Sequence, residues 1–334
     1  MEKMILVDGS SLLSTSFFGL LPKEYLYAKT KEQKEIALKK VMKTSDGIFT
    51  NGVYAMTKSL MRLIQQQKPK YMAIAWDVTR NTFRKALYEE YKAHRKETAP
   101  ELKSQFQLMQ RVLDELGISQ FKSAQYEADD YLGSLAKQFN GQVMTFVLTK
   151  DQDSLQLIND TTHVWLTTSK HKDMYSEIGQ NYGDYKLPNG VFEHTVETIK
   201  YFYELDNPSQ IIDMKAIEGD KSDNIPGVAG VGSKTVIPLL KEFGTVENLY
   251  DSIEPLDKEK EIELKKLFKE LGIKRSPLKK LIEGKAYAYL SKQLATINCD
   301  IEEVKRLELN DLILNINEDN KVKIFKELEF SSLL

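Results

Sequence analysis

Met4-Ile5-Leu6-Val7-Asp8 is a short apolar run that stops at a carboxylate, and the pattern returns twice: Tyr71 to Trp76 ends at Asp77, and Met144 to Leu148 leads into Thr149-Lys150-Asp151. Uninterrupted apolar runs of this length suit strands covered on both faces. Between them, Gly52 to Gln67, Leu102 to Leu116 and Tyr131 to Phe139 carry the helical period, so strand and helix alternate as in a parallel α/β sheet. Ligands of such sheets bind beyond the carboxyl ends of the strands, which is where Asp8, Asp77 and Asp151 fall.

Composition narrows the class. A chain of 334 residues, 41% hydrophobic and 29% charged, can bury one large core or two smaller ones, which excludes a disordered polymer. The single cysteine, Cys299, permits no internal disulfide, and His94, His163, His171 and His194 have no Cys neighbours at zinc-ligand spacing. The apolar stretch Leu12 to Leu21 is broken by polar residues and lacks a basic start, so it does not read as a secretory leader. A cytoplasmic protein without a membrane segment is expected. The net charge of −2 lacks the basic excess usual for a nucleic-acid binder. Setting aside the nine carboxylates named below leaves the rest of the chain at +7, enough for a basic surface to meet phosphate.

Three acidic groups stand out. Glu127, Asp129 and Asp130 precede the helix at Tyr131, with Glu127 and Asp130 on one helical face. Acidic residues also suit a first helical turn, so capping explains this group equally well. Three adjacent carboxylates repel one another, however, and a bound cation relieves that repulsion. The other groups are Asp151 with Asp153, and Asp220 with Asp223; either pair alone also reads as a turn or cap. With Asp8 and Asp77 they make nine carboxylates at loops and element ends. Hard oxygen donors without His or Cys select Mg²⁺ or Mn²⁺, and nine suit two ions rather than one.

Gly227-Val228-Ala229-Gly230-Val231-Gly232-Ser233-Lys234-Thr235 looks like a nucleotide phosphate loop, but Ser233 separates the last glycine from Lys234 and no strand precedes it. Between two helices, Gly227, Gly230 and Gly232 instead bring backbone N–H groups to a DNA phosphate, with Ser233, Lys234 and Thr235 at the next helix start. A tight interhelical turn is the alternative. In Thr82-Phe83-Arg84 through Tyr91-Lys92-Ala93-His94-Arg95, a helix would present Arg84, Tyr88, Tyr91, Lys92 and Arg95 on one face, cations and rings together, as single-stranded nucleic acid requires. A solvated amphipathic helix has the same spacing. Lys23 to Lys43 reads as a charged helical insertion, facing either water or DNA, and Ser169 to Asn189 as loop or hairpin.

These strings, with Leu6-Val7-Asp8-Gly9-Ser10-Ser11 and Tyr289-Leu290-Ser291-Lys292-Gln293-Leu294-Ala295-Thr296, closely resemble the bacterial 5′-3′ exonucleases of the flap-endonuclease superfamily, which include the amino-terminal nuclease domain of DNA polymerase I. Phe325 to Leu334 resembles the close of that domain, which implies a free-standing member. The resemblance implies a PIN-like 5′ nuclease fold: a core over residues 1–205 with a helical arch at about 77–100, a helix-three-turn-helix region over 206–300, and an extension at 301–334 packing on the core. It implies a first metal at Asp8, Asp77, Glu127, Asp129 and Asp130, a second at Asp151, Asp153, Asp220 and Asp223, and two-metal hydrolysis leaving a 5′-phosphate. Arg84, Lys92 and Arg95 are then the catalytic cations, and Tyr91 and the glycine hairpin contact DNA. K⁺ at the hairpin is a further expectation. The implied partner is DNA with a 5′ flap, nick or free 5′ end, RNA–DNA hybrid included, acted on by a monomer without a small-molecule cofactor. Thr15 and Lys150 depart from the family pattern, where arginine and glycine are common, and residues 22–46 are an insertion. A non-catalytic branched-DNA binder would be expected to lose metal ligands, and a PIN-like ribonuclease lacks the long helical region with its glycine hairpin.

Overall fold

The computed structural model describes residues 1–95, 97–188 and 190–334. Six strands, β1 (Lys3–Asp8), β2 (Tyr71–Asp77), β3 (Ser119–Ser123), β4 (Met144–Thr149), β5 (Thr162–Thr167) and β6 (Val191–His194), form one sheet in the order β3-β2-β1-β4-β5-β6. All neighbours are parallel except β5 and β6. Because side chains alternate across a strand, the apolar runs feed two cores at once. Met4, Leu6, Tyr71, Ala73 and Ala75 face one side, while Ile5, Val7, Met72, Ile74 and Trp76 face the other.

On the second side lie the helices Gly9–Gly19, Asn51–Gln67 and Pro100–Leu116. Buried Gln105 ties two of them together by accepting the N–H groups of Gly52 and Val53 at 2.8 and 3.1 Å, which satisfies the open donors at a helix start. The helix Glu318–Glu327 packs Ile324 and Phe325 into the same core, and Ile313 pairs with Tyr71 at the sheet margin. On the first side lie the helix Ala128–Gln138 and a helical region that includes Gln210–Glu218, Ser233–Phe243 and Leu278–Ala295. Among the described residues no helix is long and apolar enough to cross a membrane.

Two expectations need correction, and that of a helical insertion gains detail. Ser169 to Asn189 is not plain loop: His171–Glu177 is a helix, because Tyr175, Tyr182, Tyr185 and Phe192 pack together beneath it; Asn189 itself lies outside the described residues. The charged insertion forms two short helices, Lys23–Leu26 and Lys31–Leu38, anchored by buried Tyr25, Ala37 and Val41. Among the described residues of the arch between β2 and Pro100, helix is confined to Phe83–Leu87; turns follow, with Lys92 in the left-handed region at φ 54°.

Candidate active site

The carboxyl ends of β1, β2 and β4 open into a cavity of about 830 Å³. Its lining includes Asp8, Asp77, Glu127, Asp129, Asp151 and Asp220, with Lys92, Arg95, Lys150 and Lys215 among them. Asp8 ends β1 and caps the next helix, accepting from the Ser11 N–H at 2.8 Å and the Thr149 hydroxyl at 2.9 Å. Asp77 ends β2 and accepts from the Ala128 N–H at 2.9 Å, so it is aimed by the helix that carries Asp129. Burial, then the neighbouring Asp77 charge, pushes Asp8 up to about 7 despite those hydrogen bonds. Asp129 is also driven well above the usual carboxylate range, by burial and by the charges of Asp151, Asp8 and Asp77. Oxygen donors that resist ionising together fit a hard divalent cation, which would pay back the repulsion.

Opposite these carboxylates stand cations from the segment after β2. Lys92 Nζ lies 2.7 Å from Glu127 Oε2 and 3.4 Å from Asp223 Oδ2, and Arg95 pairs with Asp223 Oδ1. Burial raises Glu127, but the Lys92 and Arg84 charges outweigh it and hold the carboxyl below its ordinary range. The Lys92 N–H also donates to the Asp223 carbonyl at 2.9 Å, so backbone as well as side chain anchors the segment across the cavity. Among the described residues no three His, Cys, Asp or Glu side chains are drawn together tightly enough to hold a metal ion; side-chain cations bridge them instead.

Several assignments made from sequence change. Asp130 is fully buried and faces away from the cavity: it forms a two-bond pair with Arg84, at 2.9 and 2.7 Å, and accepts the N–H groups of Glu127 and Asn298. Every acceptor direction is spent, so the capping reading holds for Asp130 and the metal reading does not. Arg84 is buried in that pair and does not line the cavity; its guanidinium also donates to the carbonyls of Leu294 and Thr296 at 3.0 and 2.8 Å, joining the arch to the helical region. Tyr91 is buried with its hydroxyl 3.3 Å from both Glu127 and Asp223, and presents no ring for a base to stack on. Asp153 and Asp223 are buried and do not line the cavity themselves; each is paired with a cation that does, Lys215 and Arg95 respectively.

The hairpin divides likewise. Gly227 is buried and its N–H donates to Ser291 Oγ at 2.9 Å, which removes it from phosphate binding. Its φ of +60° and a would-be Cβ only 2.4 Å from the Gly219 nitrogen make it a structural glycine. Gly227→Ala is expected to lower stability by about 2–3 kcal/mol in urea unfolding, since backbone rather than a flexible side chain blocks the space. Gly232→Ala, in open space with extended backbone, should cost less than about 1 kcal/mol. Gly230, Gly232, Ser233 and Lys234 are exposed, Thr235 half-buried, and Lys280 Nζ already donates to the Gly230 carbonyl at 2.7 Å.

Lys215 is the residue that sequence reading missed. It lies within the helix Gln210–Glu218 among apolar neighbours, and the one available signal was its distance of five positions from Asp220. Lys150 lines the cavity; Thr15 and the insertion at 22–46 do not.

An α/β sheet with carboxylates at its strand ends, facing cations across an open cavity, is a frame suited to holding divalent ions beside an anionic ligand. The chain belongs to the 5′-3′ exonuclease family: the family model for the 5′-3′ exonuclease N-terminal resolvase-like domain matches residues 3–183, and that for the C-terminal SAM fold matches residues 206–320. It is 37% identical to DNA polymerase I of Bacillus subtilis, over all of this chain and 32% of that protein. The chain thus spans about a third of the length of such polymerase relatives. It is also 32% identical to a 5′-3′ exonuclease of Halalkalibacterium halodurans, over 95% of this chain and 90% of that one. The fold is shared with the zinc-bound 5′-exonuclease of bacteriophage T5, at TM-score 0.60 and 17% identity over 98% of both chains.

Proposed function

We propose that the chain is a divalent-metal-dependent 5′ nuclease that cuts DNA at a 5′ flap, nick or free 5′ end and leaves a 5′-phosphate. The observation that carries this is the placement of Asp8, Asp77, Asp129 and Asp151 in one cavity with Lys92 and Arg95 opposite. Asp8, Asp77, Glu127 and Asp129 would hold a first ion, and Asp151, Asp153, Asp220 and Asp223 a second. Bound Mg²⁺ or Mn²⁺ would supply Lewis acidity and a more acidic water at the scissile phosphate. The protein's own part is positional. Ser11 and Thr149 orient Asp8, the Ala128 N–H orients Asp77, and Lys92 and Arg95 bring positive charge to the cavity wall.

In this reading residues 1–205 are the nuclease core, 206–300 hold duplex DNA through Gly230 to Thr235, and 301–334 brace the core. K⁺ at the hairpin would compete with Lys280 for the Gly230 carbonyl. In this reading the protein acts as a monomer in the cytoplasm.

The test is a 5′-labelled flap incubated with Mg²⁺, with and without chelator, beside the matched RNA flap. Cleavage of the DNA flap that chelator abolishes is expected; metal-independent cleavage would overturn the proposal. Duplex affinity measured in Ca²⁺ should fall steeply with salt, and Lys234→Ala should lower the log–log slope by roughly 0.9, one phosphate contact. An unchanged slope would take Lys234 out of the interface.

A further inference from the structure

The helix Gln210–Glu218 buries the stem of Lys215, which is only 9% exposed, and delivers its ammonium to the cavity wall. There it pairs with Asp153, on the turn after β4, and with Asp220 Oδ2 at 2.7 Å, just past the end of its own helix. Asp151 lines the same cavity, and Asp223, buried beside it and close enough to repel its charge, is held in turn by Lys92 and Arg95. A buried ammonium is costly unless carboxylates surround it, and clustered carboxylates are costly unless a cation joins them. Lys215 resolves both needs within the chain. Lys150 lines the same cavity, yet it is exposed and enters no ion pair among the described residues.

We propose that Lys215 is the internal counter-ion of Asp153 and Asp220 within the Asp151, Asp153, Asp220 and Asp223 group: its ammonium offsets part of their charge in the metal-free protein, and a divalent ion entering the group displaces it into the cavity, where a DNA phosphate is its new partner. The inference rests on the reading of those carboxylates as ion ligands. A divalent ion must break two Lys215 ion pairs to enter, so its affinity without DNA is low. The displaced ammonium stays tethered beside the site, where a phosphate oxygen supplies the negative charge that it lost. Ion and DNA therefore favour each other's binding, by reciprocal coupling. Without substrate the second ion therefore enters only weakly, at high divalent concentration.

Mn²⁺ titration of the DNA-free protein, followed by calorimetry and electron paramagnetic resonance, tests this with Lys215→Met, Lys215→Arg and Lys150→Met. Lys215→Met should bind the weaker ion roughly tenfold more tightly or better, because it removes a buried competing charge. Lys150→Met removes the same charge from an exposed and screened position, and should change affinity by no more than about threefold. Lys215→Arg should stay near wild type. Amine footprinting by acetylation and mass spectrometry needs no substitution: labelling of Lys215 should rise several-fold on Ca²⁺ addition while that of Lys150 does not rise. Mn²⁺ affinity of Lys215→Met equal to that of Lys150→Met, or Lys215 labelling indifferent to Ca²⁺, would overturn the inference and leave the site reading standing. If the unsubstituted protein binds no Mn²⁺ at all, the site reading fails and the inference with it.

Discussion

Lys92→Ala is expected to slow single-turnover cleavage by roughly 10²–10³, about 2.7–4 kcal/mol, while flap affinity measured in Ca²⁺ barely changes. The structure explains why the loss should fall on chemistry. Lys92 Nζ bridges Glu127 and Asp223, one carboxylate from each proposed ion group, and is little exposed, so its charge acts in a poorly screened space. The segment itself stays in place without the side chain, because the Lys92 N–H still donates to the Asp223 carbonyl and the Tyr91 hydroxyl still meets both carboxylates. Arg95 is 44% exposed on its side chain and, among the described residues, forms its ion pair with Asp223, so Arg95→Ala should cost less than Lys92→Ala. The measurement is single-turnover cleavage at saturating enzyme alongside Ca²⁺ affinity. Full-speed cleavage with weakened binding would make these cations electrostatic guides rather than catalytic groups.

What the sequence disclosed, and what it hid, follows from how each side chain is used. β1, β2 and β4 were visible because burial on both faces leaves an unbroken apolar run ending at an aspartate. β3, Ser-Gln-Phe-Lys-Ser, is an edge strand with mixed burial and carries no such run. Most of the acidic site was legible, since carboxylates at strand ends are few and conspicuous. Direction was not. Asp129 and Asp130 are adjacent in sequence, yet one lines the cavity and the other points into the protein, and a helical turn alone separates those outcomes. The Arg84, Tyr88, Tyr91, Lys92 and Arg95 spacing suggested one exposed helical face, but the helix ends at Leu87 and Tyr91 turns inward. Lys215 was hidden for a related reason: a lysine in an apolar helix reads as a solvated residue until Asp153, far off in sequence, and the nearby Asp220 are seen to converge on it.

The same turn of direction yields the largest stability prediction. Arg84 and Asp130 are 3% and 0% exposed, and their paired hydrogen bonds cross from the arch to the helix behind the cavity. Removing one partner strands a buried charge, so Arg84→Met should destabilise by about 3–5 kcal/mol. Asp130→Leu should also destabilise, because it leaves the guanidinium the carbonyls of Leu294 and Thr296 and a Glu127 carboxylate 3.8 Å away as its partners among the described residues, without the two-bond carboxylate pair. The double substitution should cost less than the two single losses combined, since neither charge then remains unpaired. Urea unfolding of the four proteins completes the cycle. A metal-ligand role for Asp130 predicts the opposite pattern: Asp130→Leu would leave stability near wild type or raise it, by relieving carboxylate repulsion, and would abolish ion binding. Mn²⁺ affinity of the folded Asp130→Leu protein below its unfolding midpoint should therefore stay within a few-fold of wild type, and its loss without a change in stability would return Asp130 to the ion site.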